Sequence, residues 1–175
     1  MILNVSTNIL EECYFRKVER AEILKNNYTP TGGWDFDWAK PISLSFEVYA
    51  LITKSSPEIV QGLIAVRPNY DEIYKCVDID ILESAPQNKK YNKKKLNMNR
   101  SYVNIGKCLV AFSCAYSVEV SLEGYVQLTS KTSKITFYEE LGAKNTYGQN
   151  MVLYDSDAKI LIEEHLQGGI KWLDV

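Results

Sequence analysis

The sequence predicts an α+β fold, a mixed and mostly antiparallel sheet flanked by helices, on three observations. Three β-prone runs, Phe46 to Thr53, Ile59 to Val66 and Tyr74 to Ser84, follow one another with only turn residues between them, which is the pattern of an antiparallel meander. From Ile105 the residues Cys108, Leu109, Phe112, Ala115 and Tyr116 recur at spacings of three and four, one face of a helix of about four turns. Behind that helix a short β-prone run, Tyr125 to Thr129, leads into a second helix, Lys134 to Leu141, closed by Gly142 as a C′ glycine would close it. A meander followed by strand and helix alternation belongs to the α+β class.

The bounds of the chain are consistent with this. Its 175 residues suffice for one domain with a substantial core and are too few for two ordinary ones. The formal charge is −2 with acids and bases interspersed, so the whole-molecule field argues against nucleic acid as a partner. No apolar run approaches 18 residues and no secretory leader is visible; no membrane association and a cytoplasmic location are expected. Cys13, Cys76, Cys108 and Cys114 stand at no metal-ligand spacing and read as buried thiols. With His165 the single histidine and no GxSxG elbow, neither a histidine-rich metal site nor a serine hydrolase is expected.

In order, ILNVS reads as an opening strand, and Tyr14, Val18 and Ala21 near helical spacing predict a helix within Glu11 to Lys25. TPTGGWDFDWAKP follows, with Pro30, Gly32, Gly33 and Pro41 marking irregular backbone. In it Trp34, Phe36 and Trp38 alternate with Asp35 and Asp37, and aspartates beside aromatic rings suit a cationic amine. In the third meander strand Val77, Ile79 and Ile81 oppose Asp78, Asp80 and Leu82 until the period breaks at Leu82 and Glu83, a hint of a bulge or splay.

Gln87 to Arg100 holds six cations, Lys89, Lys90, Lys93, Lys94, Lys95 and Arg100, and no acid; it is expected to be a loop. It abuts Asn104, Ile105, Gly106 and Lys107, where a helix begins with unpaired N–H groups and no side chain at Gly106. Such a helix end can hold a phosphate. After Gly142, KNTYGQN reads as a turn, Met151 to Tyr154 as a strand, and Asp155 or Ser156 as the cap of a helix reaching about Gln167. The apolar tail, with Ile170, Trp172, Leu173 and Val175, either pairs as a last strand or docks on a partner subunit, which leaves a homodimer open.

The succession ILESAPQN, NIGKCLVAFSC, YVQLTSK and FYEELGA resembles the acyl-CoA-binding core of the GCN5-related N-acetyltransferase (GNAT) superfamily. The resemblance covers roughly residues 46–154. It implies a GNAT-like acyl-CoA N-acyltransferase fold over residues 1–175, with 1–45 on the acceptor side, 46–154 as the acyl-CoA-binding core, and 155–175 as a C-terminal helix and tail. It further implies an N-acetyltransferase that moves an acetyl group from acetyl-CoA, its co-substrate, to an amine by direct transfer in a ternary complex, with no metal.

On this resemblance the third strand splays, and backbone near Leu82 and Ser84 holds the pantetheine arm. Asn104 to Lys107 takes the pyrophosphate, with Arg100 among the cations that meet the phosphates. Trp34, Asp35 and Asp37 line the acceptor side. Glu83 is expected as base, with Asp80 or Asp78 behind it, because a lysine-like amine is only about one part in a thousand neutral at pH 7. Tyr138, in the YxxxG spacing with Gly142, is expected to protonate the leaving thiolate. The family's phosphate loop departs here: Ser101 stands where Gln or Arg is usual and Asn104 where the first Gly is usual, while Gly106 matches. The alternative reading is therefore an inactive CoA-binding or protein- or RNA-interaction module on the same fold. The acceptor is not identified.

Overall fold

The computed structural model describes residues 1–92 and 95–173. Lys93, Lys94 and Val175, which belong to the basic segment and the tail, lie outside the described residues.

The chain begins with β1 (Ile2–Asn4) and β2 (Ile9–Glu11), an antiparallel pair. Next come β3 (Tyr14–Val18) and α1 (Arg20–Lys25), which corrects the helix expected across Glu11 to Lys25. Tertiary pairing decides the matter: β3 is antiparallel to β4 with Val18 opposite Val48, and the buried Phe15 ring stacks on Phe112 at 4.4 Å. Helical spacing of three residues is weak against that much burial.

After the short α2 (Ala39–Ser43) the expected meander is present as β4 (Glu47–Ile52), β5 (Gly62–Asn69) and β6 (Cys76–Ser84). The basic segment is more than a loop, since β7 (Tyr91–Asn92) and β8 (Lys95–Leu96) form a small hairpin in it. Then β9 (Tyr102–Val103) joins β1 and runs directly into α3 (Ile105–Glu119). The remaining elements are β10 (Val126–Thr129), α4 (Ile135–Glu139), β11 (Lys144–Tyr147), β12 (Asn150–Leu153) and α5 (Asp155–His165). β11 falls where only a turn was expected; it pairs with β12 around Gly148.

Among the described residues the main sheet has the order β11-β12-β10-β6-β5-β4-β3. Every neighbouring pair is antiparallel except β6 and β10, which the crossover through α3 makes parallel. The tail settles on the β3 edge: Phe15 N–H donates to Lys171 O, and Leu173 N–H to Phe15 O, both at 2.9 Å. It pairs within the chain.

Two apolar clusters cover the two faces of this sheet. On one, Leu51, Ile64, Val66, Val77 and Ile79 pack with Leu109, Phe112 and Ala115 of α3 and with Leu161 of α5. Because α5 covers its far side, α3 is buried nearly all round from Cys108 to Ser117, rather than along the single face its spacing suggested. On the other face Val48, Ala50, Ile52, Leu63 and Ala65 pack with Ile23, Tyr28, Trp34 and Trp38.

The period break in β6 lies at Asp80. Val66 pairs with Ile79 and Ala65 with Ile81, so Asp80 is the extra residue of a bulge. Ile81, expected beside Val77 and Ile79, therefore packs on the opposite cluster, while Leu82 joins the α3 side. One inserted residue reverses the faces of every residue after it.

Candidate active site

The bulge begins a cleft. β6 pairs with β10 at Val77, Asp78 and Ile79 and no further. From Asp80 to Ser84 it keeps β5 on one side and, among the described residues, pairs with no strand on the other. Backbone groups along Leu82 to Ser84 are thus left facing an opening between the two strand ends, where an extended ligand can take the place of a strand.

The start of α3 sits at the end of this cleft because of a glycine. A Cβ on Gly62, which pairs with Ser84, would come within 2.5 Å of Ile105 Cγ2; only the absence of that carbon lets Ile105 and the helix end settle on the strands. Asn104 occupies the left-handed region at φ 69°, a conformation asparagine tolerates better than most residues. Its side chain makes no cap, and the first helical bond is Cys108 N–H to Asn104 O at 3.1 Å. The N–H groups of Ile105, Gly106 and Lys107 precede that bond and are the helix's orphan donors. Arg100 lines a cavity of about 590 Å³ with Gln61, Gln87 and Tyr102.

Tyr138 projects from α4 into the α3-side core and is buried. Burial pushes its hydroxyl up to about 12, so it carries its proton at neutral pH. Phe137 packs edge-on against it at 5.1 Å, and the same ring closes on Gly106, where a Cβ would meet Phe137 Cζ at 3.1 Å. Gly142 ends the helix at φ 91° with Asp157 Oδ1 2.9 Å from where its Cβ would stand; both facts require glycine.

On the other face Glu83 is held by three donors. Its Oε1 accepts the Asp35 N–H at 2.6 Å and the Lys89 ammonium at 2.7 Å, and its Oε2 accepts Trp38 Nε1 at 3.2 Å. The Glu83 carboxylate, expected as base, is thus held in a buried ion pair with Lys89. Burial works against the charge of Lys89, but hydrogen bonds to Asp35 and Glu83 outweigh it and raise its pKa. The sequence signal was available only as Lys89 standing six residues beyond Glu83; their meeting depends on the turn at Pro86 to Asn88.

The aromatic segment divides its roles differently from the expectation. Trp34 and Trp38 are core residues at 6% and 0% exposure, while Asp35 Oδ1 pairs with Lys89 at 2.8 Å and Asp37 Oδ1 accepts the Ala39 N–H at 3.0 Å. Phe36, the half-buried ring between them, lies 4.3 Å beneath the Lys131 ammonium. Trp34 is thus a core side chain, and Phe36 is the half-buried ring of the segment. Beside the cleft, Asp78 and Asp80 line an open cavity of about 1090 Å³ with Gln127, Thr129, Tyr125 and Tyr154. Asp78 is engaged, accepting Gln127 Nε2 at 2.5 Å and lying 3.5 Å from Arg67, whereas Asp80 is exposed at the bulge.

No protein-family model and no curated protein matches the sequence. Solved structures do. A crystal structure of AtaTR bound with acetyl-CoA superposes with a TM-score of 0.53 at 11% identity, covering 86% of this chain and 98% of that one. The chain has the GNAT fold. A bacterial toxin gives the same TM-score at 13% identity over 89% of this chain and 98% of its own. A tyrosine-to-phenylalanine mutant of the AtaT toxin, bound to the C-terminus of the antitoxin AtaR, gives 0.52 at 11% identity, with 86% and 98% covered. Within the GNAT fold of this chain, the start of α3 and Tyr138 belong to one face of the sheet, and Glu83 with the aromatic segment it binds to the other.

Proposed function

We propose that this chain transfers the acetyl group of acetyl-CoA directly to an amine acceptor in a ternary complex. The observation that carries the reading is the parting of β6 from β10 after Ile79 beside a helix start whose first N–H groups have no partner among the described residues. The acetyl-CoA bound to the AtaTR structure of the same fold supports it.

The residues fit that co-substrate. Leu82 and Ser84 backbone would hold the pantetheine arm, Ile105, Gly106 and Lys107 N–H groups the pyrophosphate, and Arg100 with the neighbouring lysines the remaining phosphate charge. Acetyl-CoA supplies an activated thioester. Tyr138, protonated at neutral pH, is the acid that meets the departing thiolate. Glu83 fixes the aromatic segment, and the acceptor's proton leaves through water in the open cavity, where Asp80 offers an exposed carboxylate.

Direct transfer needs no covalent enzyme intermediate, so proximity and orientation do most of the catalytic work. The even charge distribution describes the whole molecule and leaves a tRNA-borne amine among the acceptors, beside small amines, peptide N-termini and protein lysines. The test is thiol release from acetyl-CoA in the presence of such a panel. Amine-dependent release supports the reading, and none with any class overturns it.

A further inference from the structure

Asn88 ends the turn at Pro86 to Asn88, is only 4% exposed, and makes three side-chain hydrogen bonds. Its Nδ2 donates to Gln61 O at 3.0 Å and to Gln61 Oε1 at 2.8 Å, and its Oδ1 accepts the Tyr102 N–H at 2.9 Å. One carbonyl and one N–H as backbone partners fix which way the amide faces. The group ties together two sheets, because Gln61 leads into β5 of the seven-stranded sheet and Tyr102 lies in β9 of the three-stranded one.

Each tie reaches a different part of the cleft. Gln61 precedes Gly62, which pairs with Ser84, and Gln61 O also accepts the Ala85 N–H at 2.9 Å. The end of β6 and Asn88 therefore share one carbonyl. On the other side, β9 runs through Val103 and Asn104 into α3. Among the described residues β9 has β1 as its single strand neighbour, and Asn88 supplies the acceptor that a second neighbour would. Gln61 is itself buried at 2% exposure, so a partner lost here is not replaced from bulk water without a shift of the turn.

We propose that Asn88 is a positioning residue for acetyl-CoA. It sets the start of α3 beside the end of β6, so that one ligand meets the Leu82 to Ser84 backbone and the Ile105 to Lys107 N–H groups at once. This rests on the acetyltransferase reading, and Asn88 acts through Gln61 and Tyr102 rather than on the ligand. A ligand that spans both segments gains from their fixed separation, because nothing is left to be ordered on binding. A ligand that reaches one segment alone is indifferent to it. Acetyl-CoA spans both, whereas S-acetylpantetheine, without pyrophosphate or nucleotide, reaches the strand end only.

The test is nuclear magnetic resonance titration of the whole chain, as wild type, Asn88→Asp and Asn88→Ser, with acetyl-CoA and with S-acetylpantetheine. Aspartate keeps an acceptor for the Tyr102 N–H but turns an oxygen toward Gln61 O; the shorter, neutral serine serves if the buried carboxylate prevents folding. Acetyl-CoA is expected to bind either variant about tenfold more weakly than wild type, the size of one buried hydrogen bond, and S-acetylpantetheine to bind all three alike. Equal weakening of both ligands, or of neither, overturns the positioning role, because a general loss of structure does not tell the two ligands apart. A folded wild type that binds neither ligand overturns the acetyltransferase reading instead, so the two failures are separable.

Discussion

Lys89 Nζ lies 2.7 Å from Glu83 Oε1 and 2.8 Å from Asp35 Oδ1, and it donates to Gly33 O at 3.0 Å. One ammonium thereby joins the end of β6, the aromatic segment and the basic segment. The Glu83 and Lys89 side chains are only 5% and 13% exposed, so neither charge has ready access to water as a substitute partner.

Replacing Lys89 with Met leaves Glu83 buried beside no cation. The free energy of unfolding is expected to fall by about 3–5 kcal/mol, read from urea denaturation. Adding Glu83→Gln to Lys89→Met should restore part of that loss, because the unpaired charge is then gone. A single-variant loss below about 1 kcal/mol, the range of an exposed pair, would show that the clamp is no buried ion pair in solution.

Glu47 ties α3 to the sheet. Its carboxylate accepts Tyr116 Oη at 2.6 Å, Tyr49 Oη at 2.9 Å and Lys17 Nζ at 2.7 Å. Burial opposes its charge, but these hydrogen bonds outweigh it and hold the carboxyl below the ordinary 4.5. A folded-state pKa below the unfolded one means stability fully present above about 4.5 and lost as pH falls through the lowered value. The Tm advantage of wild type over Glu47→Gln should be constant near neutrality and shrink below about pH 4.5. An advantage that grows on acidification would reverse the sign and refute the assignment.

Tyr138→Phe separates packing from proton supply. The ring stays in the core and only the hydroxyl is lost, so Tm should scarcely move and the KM for acetyl-CoA should hold. In a working transferase kcat should fall by about 10²–10⁴, the usual contribution of a general acid. Unchanged turnover would remove Tyr138 from the chemistry.

Where local periodicity or backbone preference decides, the chain is readable from its residues. The meander and the α3 start at Ile105 are of that kind. Other features depend on what meets what after folding. The bulge at Asp80 is a matter of register with β5, so Ile81 changes faces without any local sign. Trp34, Phe36 and Trp38 share one parity in sequence, yet two of the rings are buried and Phe36 is only half-buried. The stretch holding Tyr14 and Val18 read as helix because the partner of its Phe15 ring, Phe112, is 97 positions away. The Glu83 ion pair and the Lys131 contact likewise join segments that spacing alone does not connect.

Asn104 offers a measure of the turn itself. Its φ of 69° costs an ordinary L-residue about 1–2 kcal/mol. Asn104→Ala should lower stability by about 1 kcal/mol and weaken acetyl-CoA binding, while Asn104→Gly should leave both near wild type. Equal behaviour of the two variants would show that backbone conformation is not what the asparagine supplies.

Acetyl-CoA binding by the cleft and the α3 turn is the claim on which the rest depends. The most direct measurement is calorimetric titration of acetyl-CoA into the wild type and into Gly106→Asp, with circular dichroism to confirm that both are folded. A carboxylate in the first turn favours the helix and requires only that the Phe137 ring edge, 3.1 Å from the new Cβ, give way slightly, yet it repels a pyrophosphate. Micromolar binding by the wild type that disappears in the variant is the predicted result. A folded wild type that takes up no acetyl-CoA, or a variant that binds it equally well, would contradict it.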